Sequence, residues 1–371
     1  MNETTKITKD ERPRARDIGI QIGVFPPGKY NAITDVKGVL VGHCTLNEGN
    51  GPLKPGKGPI RTGVTSILPH DGNMFKQKVP AASFVFNGFG KSIGLHQINE
   101  LGNLETPILL TNTLNVPIVA DALIEWMINK NPEIGIDTCT VNPVVGEIND
   151  GFLNDIQGRH VKKEHVFKAL NSAQSGPVDE GAVGAGTGSS CMGWKGGIGT
   201  SSRVLPQDLG GFTVGVLVLT NFDGLLTVSG APVGKKLGHL LFKDKDPSGS
   251  VMVIVATDAP LYQRHLIRVA KRAMLGLART GFYGSNGSGD FFIAFSTAAT
   301  IPHEPAVIFF KGETIANDAL SPLFLATAEA TEEAVINSIL KAKTTVGRDG
   351  NAKEAIDIQK LVQILREYGI T

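Results

Sequence analysis

Short apolar runs alternate along this chain with polar stretches rich in Gly, Pro, Asn and Asp. Runs of four to nine residues dense in Val, Ile, Leu and Phe, bounded by such turn residues, are typical of buried strands. The pattern predicts strands at 61–68, 82–86, 107–110, 141–147, 212–220, 251–255, 291–295 and 306–310, and two short strands around a turn within 31–43.

Apolar positions spaced three or four residues apart predict helices in several longer segments. We expect helices at 94–101, 116–129 and 162–173, and amphipathic helices at 320–340 and 355–367. A further helix is expected to end at Arg279, with Asp258 as its N-cap and Pro260 in its first turn. Hairpin-like strands with interspersed helices favour a layered α/β sandwich in a single domain, rather than a doubly wound sheet.

The balance of charged residues limits the classes of partner that the chain is expected to bind. Lys and Arg number 36 against 35 acidic residues, so the chain carries no field that would favour nucleic acid or an anionic membrane. We therefore expect a small-molecule substrate. Apolar residues make up 41% of the chain, which is ample for a large core.

The cysteines and the N-terminal sequence indicate a compartment. Cys44, Cys139 and Cys191 are far apart and form no C-x-x-C pair, which favours reduced thiols. The polar start of the chain has no signal-peptide pattern, and no apolar stretch is long enough to span a membrane. We expect a soluble, cytoplasmic protein with a frayed N-terminus.

Several familiar motifs are missing from the sequence. The Gly-rich stretch 184–189 has Ser189 where a dinucleotide-binding motif needs Gly, so it is interpreted as a loop for close backbone packing. The eight His are scattered and form no H-x-x-x-H, so no metal site is expected. No G-x-S-x-G elbow is present, although a Ser-His-Asp triad assembled from distant residues stays open.

The joint between a charged loop at 243–249 and the apolar run at 251–255 draws attention to Ser250. A strand would fix this hydroxyl, and a loop would leave it reachable. Gly249 has no Cβ to hinder attack by Ser250 on the carbonyl that precedes it, and glycine tolerates the backbone strain of that attack. Cleavage would give Ser250 a free α-amine with a pKa of about 8, a base within the nucleophilic residue. Taken alone, however, Ser after Gly is also an ordinary turn.

Polar residues at other strand and helix ends supply the groups that amide hydrolysis with a Ser nucleophile needs. Asn221 can donate to an oxyanion, and Asp290 can orient Ser288 and through it the Ser250 hydroxyl. Glu147 can pair with a substrate ammonium. Asn87 stands at a similar strand end. Each of these residues is, by itself, an equally good turn residue.

The chain resembles a known family, the self-processing aminopeptidases that include L-aminopeptidase D-amidase/D-esterase and the β-peptidyl aminopeptidases. The likeness runs over nearly the whole chain. It is carried by Asn-Ala-Ile-Thr-Asp-Val at 31–36, Arg-Thr-Gly-Val-Thr at 61–65, Pro-Val-Val-Gly-Glu at 143–147, Asn-Asp-Gly-Phe-Leu-Asn-Asp at 149–155, Gly-Ala-Gly-Thr-Gly at 184–188, Gly-Ser at 249–250 and Ala-Thr-Asp-Ala-Pro-Leu at 256–261.

The resemblance implies a specific fold and history. The chain would fold as a four-layer αββα sandwich like that of N-terminal-nucleophile hydrolases, with different connectivity. It would cut itself between Gly249 and Ser250 into an α chain of residues 1–249 and a β chain of residues 250–371. The αβ units would assemble as a tetramer, without metal or organic cofactor.

The resemblance also implies residue roles. Ser250 would be the nucleophile, Ser288 and Asp290 its supporting pair, Asn221 the oxyanion donor and Glu147 the anchor of the substrate amine. Two positions depart from some members of the family. Position 290 is Asp where they carry Glu, and 148–149 is Ile-Asn where they place a site-lining Tyr, which makes Asn149 a candidate substrate-binding residue.

The expected activity is removal of unblocked L-, D- or β-residues from the N-termini of short peptides, amides and esters. Two alternatives stay open at this point. One keeps self-cleavage but changes the chemistry to acyl transfer or to hydrolysis of ω-amino-acid oligomers. The other is a non-catalytic binding protein that has kept the fold.

Overall fold

The computed structural model describes residues 12–239, 241, 248–309 and 312–371. Its strands are β1 Leu40–Glu48, β2 Ile60–Leu68, β3 Gln77–Gly88, β4 Asn103–Leu104, β5 Ile108–Asn112, β6 Val144–Ile148, β7 Ser190–Cys191, β8 Trp194–Lys195, β9 Ile198–Val204, β10 Thr213–Asn221, β11 Ser248–Thr257, β12 Gly287–Ser296, β13 Ile301–Pro302, β14 Thr345–Val346 and β15 Ala352–Lys353. Its helices are α1 Leu95–Leu101, α2 Val116–Lys130, α3 Lys163–Asn171, α4 Val233–Lys236, α5 Gln263–Arg279, α6 Ser321–Leu340 and α7 Ile358–Glu367.

The longer strands form two sheets. The smaller has the order β1-β2-β5-β6, and the larger has the order β13-β3-β12-β11-β10-β9 with β4 paired to β3. In the larger sheet β11 runs parallel to β12 and antiparallel to β10. The strand that carries Ser250 therefore lies in the middle of the larger sheet, with Asn221 on one neighbouring strand and Asp290 on the other.

Three apolar clusters separate four layers. One fills the space between the two sheets and includes Leu219, Met252 and Ile293. A second lies between the larger sheet and α5 and α6, and a third between the smaller sheet and α2 and α3. Alternate residues of each central strand feed different clusters, because successive side chains of a strand point to opposite faces. The four-layer αββα sandwich implied by the resemblance is confirmed.

Most of the predicted elements are present, with ends displaced by a few residues. Predictions at three places are wrong in the element that they assign. The segment 31–39 contains a single 3-10 turn at Ile33–Asp35 instead of a strand. Asp258 is not a helix cap, because its carboxylate accepts a hydrogen bond of 2.7 Å from the Thr213 N–H and α5 begins at Gln263. Residues 306–309 form no strand, and Phe310 lies outside the described residues.

The prediction that residues 320–340 form an amphipathic helix is wrong in its polarity. From Ala326 to Leu340 every residue of α6 is buried, including Glu329 and Glu333. These carboxylates are satisfied inside the protein, because the buried Arg203 guanidinium bonds both. In the sequence, charged residues on a helix look the same whether they face solvent or form buried ion pairs. The pattern therefore could not distinguish an amphipathic helix from a fully buried one.

The expectation of a frayed N-terminus falls on residues outside the described ranges, as does most of the charged loop before Gly249. Among the residues that the structure describes, no helix is long and apolar enough to cross a membrane.

Candidate active site

Ser250 is the third residue of β11 and is 4% exposed. Met252, two positions further along, packs in the cluster between the sheets, whereas Val251 packs toward the helices. The Ser250 hydroxyl therefore faces the gap between the two sheets. The sequence predicts Ser250 at the joint between a loop and a strand, whereas the structure places it inside the strand, because Ser248 and Gly249 already pair with β12.

Gly249 meets its neighbours closely. A Cβ built there would lie 2.8 Å from Cα of Phe222 and 3.0 Å from its Cβ, which is nearer than real Cβ atoms approach other carbons. Gly249 lies within β11 and has no left-handed backbone, so the strain of a positive φ does not explain the glycine at this position. The close approach of Phe222 to Gly249, just before Ser250, explains why this position is a glycine.

Asn221 stands opposite Ser250 at the end of β10. Its Nδ2 lies 3.4 Å from Ser250 Oγ and donates to the backbone carbonyl of Asn149 at 3.0 Å. Its Oδ1 accepts a hydrogen bond from the Ser190 N–H at 3.1 Å. These two outer contacts fix the orientation of the amide, so the NH2 group is the part turned toward Ser250.

Asn149 takes part in this arrangement through its backbone. Its side-chain Oδ1 accepts a hydrogen bond of 2.9 Å from the Gly151 N–H, which closes a turn of the Asx type. The side chain is exposed, while the carbonyl receives Asn221.

Ser288 and Asp290 form a tight pair on β12. The Ser288 hydroxyl donates to Asp290 Oδ1 at 2.5 Å, and the Asn87 amide donates to Asp290 Oδ2 at 2.9 Å. Both residues of the pair are fully buried. Burial raises the pKa of Asp290, and the hydrogen bonds from Ser288 and Asn87 partly offset this rise.

A β-bulge brings Asn87 to this pair. Pairing of β12 with β3 shifts register between Asp290 and Phe291, so that Phe86 is an extra residue on β3. Phe84 packs on the helix side of the sheet, and the extra residue returns Asn87 to that side as well. The bulge thus places the amide beside Asp290.

The Ser288–Asp290 pair and the Ser250 hydroxyl lie on opposite faces of the larger sheet. Phe292 continues the face of Asp290 and packs toward the helices, whereas Ser250 points between the sheets. No hydrogen bond of the described residues joins Ser288 to Ser250. What lies level with Ser288 is the backbone of Gly249, its partner in the parallel register.

Glu147 is buried on β6, in the smaller sheet. The Lys91 N–H donates to its Oε1 at 2.9 Å, and the Lys91 ammonium donates to Thr113 Oγ1 at 3.0 Å. Burial raises the pKa of Glu147, and hydrogen bonds from Lys91 and Thr113 and the Lys91 charge partly offset this rise.

The connection from Glu147 to Ser250 runs through the segment 88–92. Gly90 lies against both the Glu147 carboxylate and the Phe291 ring, and the Phe89 carbonyl lies against Gly289, the partner of Ser250 in the sheet. Among the described residues, no hydrogen bond joins Glu147 directly to Ser250.

Three contributors escaped the sequence reasoning. The Ser190 N–H that holds Asn221 comes directly after the Gly-rich stretch 184–189, and Lys91 and Thr113 hold Glu147 from two other segments. A backbone N–H donor is present in almost every residue type, so the sequence does not mark it. Contacts between distant segments produce no regular spacing of residues that could be recognised. A matching polar residue at a strand end was the available signal, and it was found for Asn87.

Within the described residues, no group of three or more His, Cys, Asp or Glu side chains is placed to hold a metal ion. The chemistry that these side chains themselves can offer is attack by a hydroxyl on a carbonyl, with an amide beside it to stabilise negative charge.

Comparisons with known proteins indicate the family and agree with the fold. The model of peptidase family S58 matches residues 31–353. The chain is 43% identical over 374 aligned residues to the β-peptidyl aminopeptidase BapA of Sphingosinicella microcystinivorans, with 96% of this chain and 93% of that protein covered.

Solved structures agree as well. A protein of Pyrococcus horikoshii superposes with a TM-score of 0.91 at 53% identity, over 96% of this chain and 99% of that one. The L-aminopeptidase D-Ala-esterase/amidase of Ochrobactrum anthropi, described as a new variant among the Ntn hydrolase fold, superposes with a TM-score of 0.88 at 40% identity and the same coverage.

The fold and these relatives define the class as serine aminopeptidases with a variant of the N-terminal-nucleophile hydrolase fold. The chain belongs to peptidase family S58. The resemblance drawn from the sequence is confirmed.

Proposed function

We propose that this protein is a self-processing serine aminopeptidase that cuts itself between Gly249 and Ser250 and then uses Ser250 as its N-terminal nucleophile. The substrates are short peptides, amides and esters that begin with an unblocked L-, D- or β-amino acid. One observation carries the proposal. The Ser250 hydroxyl, buried at the end of the gap between the sheets, lies 3.4 Å from an amide that two outer hydrogen bonds hold in place.

In turnover, Ser250 Oγ attacks the substrate carbonyl and the negative oxygen that forms is stabilised by Asn221 Nδ2. Collapse of this intermediate breaks the C–N or C–O bond of the substrate, and the leaving amine or alcohol departs with the proton taken from Ser250. Water then attacks the acyl-enzyme carbonyl, and the amino acid is released with Ser250 Oγ protonated again. At the position where some family members place a Tyr, the Asn149 side chain is engaged in its own turn. This supports Asn221 as the side-chain oxyanion donor in this protein.

The general base is the α-amine that cleavage creates on Ser250. This amine would form at the peptide between Gly249 and Ser250, on the stretch of β11 that pairs with Ser288 and Gly289. The Ser288–Asp290 pair lies on the other face from the hydroxyl, so it acts on the amine and not on Oγ directly. An Asp in place of Glu at 290 still reaches the Ser288 hydroxyl, at 2.5 Å.

Glu147 is the proposed anchor for the substrate ammonium, with the segment 88–92 between it and the nucleophile. A buried carboxylate with a raised pKa that receives one backbone N–H keeps acceptor capacity for a cation. This explains why a blocked N-terminus would be rejected, because an acetylated amine carries no charge to pair.

Intact-mass measurement of the purified protein tests the proposal. We expect two fragments, residues 1–249 and 250–371, from the native sequence and one full-length chain from Ser250→Ala. A single uncut chain in both samples, with no release of p-nitroaniline from free aminoacyl p-nitroanilides, would contradict it.

We also propose that the αβ units assemble as a tetramer. An exposed apolar segment supports an interface, since Val307, Ile308 and Phe309 are 56%, 90% and 84% exposed. Light scattering coupled to gel filtration measures the mass in solution. Four times the 39.3 kDa of one chain is expected, and a mass of one chain would contradict the assembly.

A cytoplasmic location is proposed on the basis of the thiols. Cys44, Cys139 and Cys191 are all free in the structure, as reduced surroundings favour. Fractionation of the source cells with marker enzymes tests this, and recovery outside the cytoplasmic fraction would contradict it.

A further inference from the structure

The hairpin formed by β7 and β8 grips the end of the strand that presents Asn221. Ser190 pairs with Lys195 and Cys191 pairs with Trp194 in this hairpin. On the β7 side, the Ser190 N–H donates to Asn221 Oδ1 at 3.1 Å and the Met192 N–H donates to the Phe222 carbonyl at 2.7 Å. Two consecutive residues next to Ser250 and Gly249 are thus held by one two-stranded element.

Lys195 anchors the other side of the hairpin. Its side chain is completely buried, and its Nζ donates to the carbonyls of Gly186 at 2.8 Å and of Gly196 at 2.6 Å. The bond to Gly186 ties the β8 end of the hairpin to the Gly-rich turn that precedes Ser190, whereas the bond to Gly196 is local to the end of β8. Among the described residues, no carboxylate lies within ion-pair distance of this ammonium, although Asp150 is close enough to attract it.

An ammonium at this position is expensive for the fold. Burial lowers the pKa of Lys195 to about 7, and attraction to Cys191 and Asp150 only partly offsets the effect. A methionine would fill a similar volume without that cost, so packing alone gives no reason for a lysine. What the ammonium adds is one directed hydrogen bond to the turn that precedes Ser190, at Gly186, and a second to the carbonyl of Gly196, the next residue of the chain.

We propose that Lys195 is a positioning residue for the reaction of Ser250. Its bond to the Gly186 carbonyl fixes the hairpin against the turn before Ser190, the hairpin fixes the Ser190 N–H, and this N–H holds the Asn221 amide with its NH2 group toward Ser250. Lys195 thereby sets the geometry of the oxyanion donor without touching the substrate. This inference rests on the proposed function.

A double-mutant cycle tests it. Lys195→Met, Asn221→Ala and the double variant are compared with the native enzyme for kcat and KM on a free aminoacyl p-nitroanilide. Loss of one oxyanion donor lowers kcat by about 10²–10³-fold. We expect Lys195→Met to lower kcat about tenfold with little change in KM, and the double variant to be no slower than Asn221→Ala alone.

Lys78→Met is the matched control. The Lys78 ammonium bonds the buried Glu105 at 2.7 Å, at the end of β3 remote from Asn87. The Lys78→Met substitution removes a partly buried ammonium that has a hydrogen-bond partner. It therefore measures the effect of lost stability on kcat while the Asn221 amide stays in place. Its kcat per active site should match the native value, even where its melting temperature falls.

The outcomes separate the inference from the function. If Asn221→Ala leaves kcat unchanged, the oxyanion assignment of the proposed function fails. If Asn221→Ala is slow but Lys195→Met is not, or if the two losses multiply in the double variant, the positioning role of Lys195 alone is overturned. If a variant cleaves itself too slowly for kcat to be measured, its rate of self-cleavage is measured by intact mass instead. The rates of the single and double variants are then compared in the same way as kcat.

Lys195→Gln keeps a side-chain donor and replaces Lys195→Met in the cycle if the latter does not fold. Partial recovery of kcat by Lys195→Gln relative to Lys195→Met would support the role of the directed hydrogen bonds. Failure of both variants to fold would make Lys195 a folding residue and overturn the proposal.

Discussion

Asn221 shows how backbone contacts turn an ordinary strand-end amide into a candidate catalytic group. The side chain receives the Ser190 N–H on its oxygen and gives a hydrogen bond to the Asn149 carbonyl, which leaves its second N–H near Ser250 Oγ. Because the amide is held at both ends, it needs no reorientation, and so no reorganisation free energy, when negative charge forms beside it. At the residue scale, the site is a matter of orientation more than of residue identity.

Glu147→Gln tests the amine anchor. Loss of a charge-assisted hydrogen bond of about 1.5–3 kcal/mol would raise KM for free aminoacyl p-nitroanilides by about 10-fold or more. Because burial raises the pKa of Glu147, protonation also weakens binding by the native enzyme at pH values above the ordinary carboxyl range. The Ser250 amine gives both enzymes an acidic limb in kcat/KM, so in steady-state kinetics between pH 5 and 8 the kcat/KM of the native enzyme should fall more steeply toward acid than that of the variant.

The control for this prediction is Glu105→Gln, which changes a buried carboxylate bonded to Lys78 and leaves the site alone. Its KM should stay at the native value. Equal rates of the native enzyme on acetylated and free substrates would refute the anchor.

At the element scale, the register of three strands decides which groups meet. The pairing of β10, β11 and β12 sets Asn221, Ser250 and Gly289 side by side, while the bulge on β3 swings Asn87 to Asp290. Alternation along β12 keeps Ser288 and Asp290 on the helix side. A slip of one residue in β12 would bring this pair to the face of the hydroxyl instead.

Gly249→Ala tests the tightness of the strand before the scissile bond. The new Cβ would lie 2.8 Å from Cα of Phe222, so β11 must shift away from β10 and disturb the approach of Ser250 to the bond. We expect slower self-cleavage, by about tenfold or more, in a time course of intact mass.

Gly88→Ala serves as the comparison, because a Cβ there has its nearest neighbour at an ordinary 3.9 Å. It should process at the native rate. Native self-cleavage in Gly249→Ala would show that the contact with Phe222 yields easily and does not guide the reaction.

Several charged side chains are buried in the interior of the molecule. Besides the Arg203 network with Glu329 and Glu333, Asp150 is fully buried and burial raises its pKa to about 6, and Glu180 has a pKa raised to about 7 for the same reason. Hydrogen bonds offset part of this cost; Asp150 receives the amides of Asn112 and Asn154.

The buried charge of Lys195 should make the stability of the protein depend on pH. Its pKa falls from 10.5 to about 7 on folding, so between these pH values the unfolded chain binds more protons and the free energy of unfolding rises with pH. The cost of burying the ammonium is fully present below about pH 7 and fades toward pH 10.5. Thermal unfolding of Lys195→Met should lack this rise, and parallel pH curves for the two proteins would contradict the assignment.

The sequence alone determined the elements and the chemistry on offer. Apolar runs bounded by turn residues predicted most of the central strands and helices, and the Gly-Ser joint before a buried strand pointed to Ser250. This works because periodicity and turn chemistry are local properties. It failed at 31–39, at Asp258 and in α6, where tertiary partners satisfy backbone or charged groups that the local pattern leaves open.

Only the tertiary structure decided which of these polar residues meet. Asn221 reaches Ser250 because the register of β10 with β11 sets these two residues opposite each other, and the Ser190 N–H and Lys195 act through a hairpin that no apolar run predicts. The faces of Ser250 and of the Ser288–Asp290 pair follow from alternation within a sheet whose neighbours the sequence does not specify. Pairing between distant strands and backbone donors depend on the fold as a whole, so no local pattern encodes them.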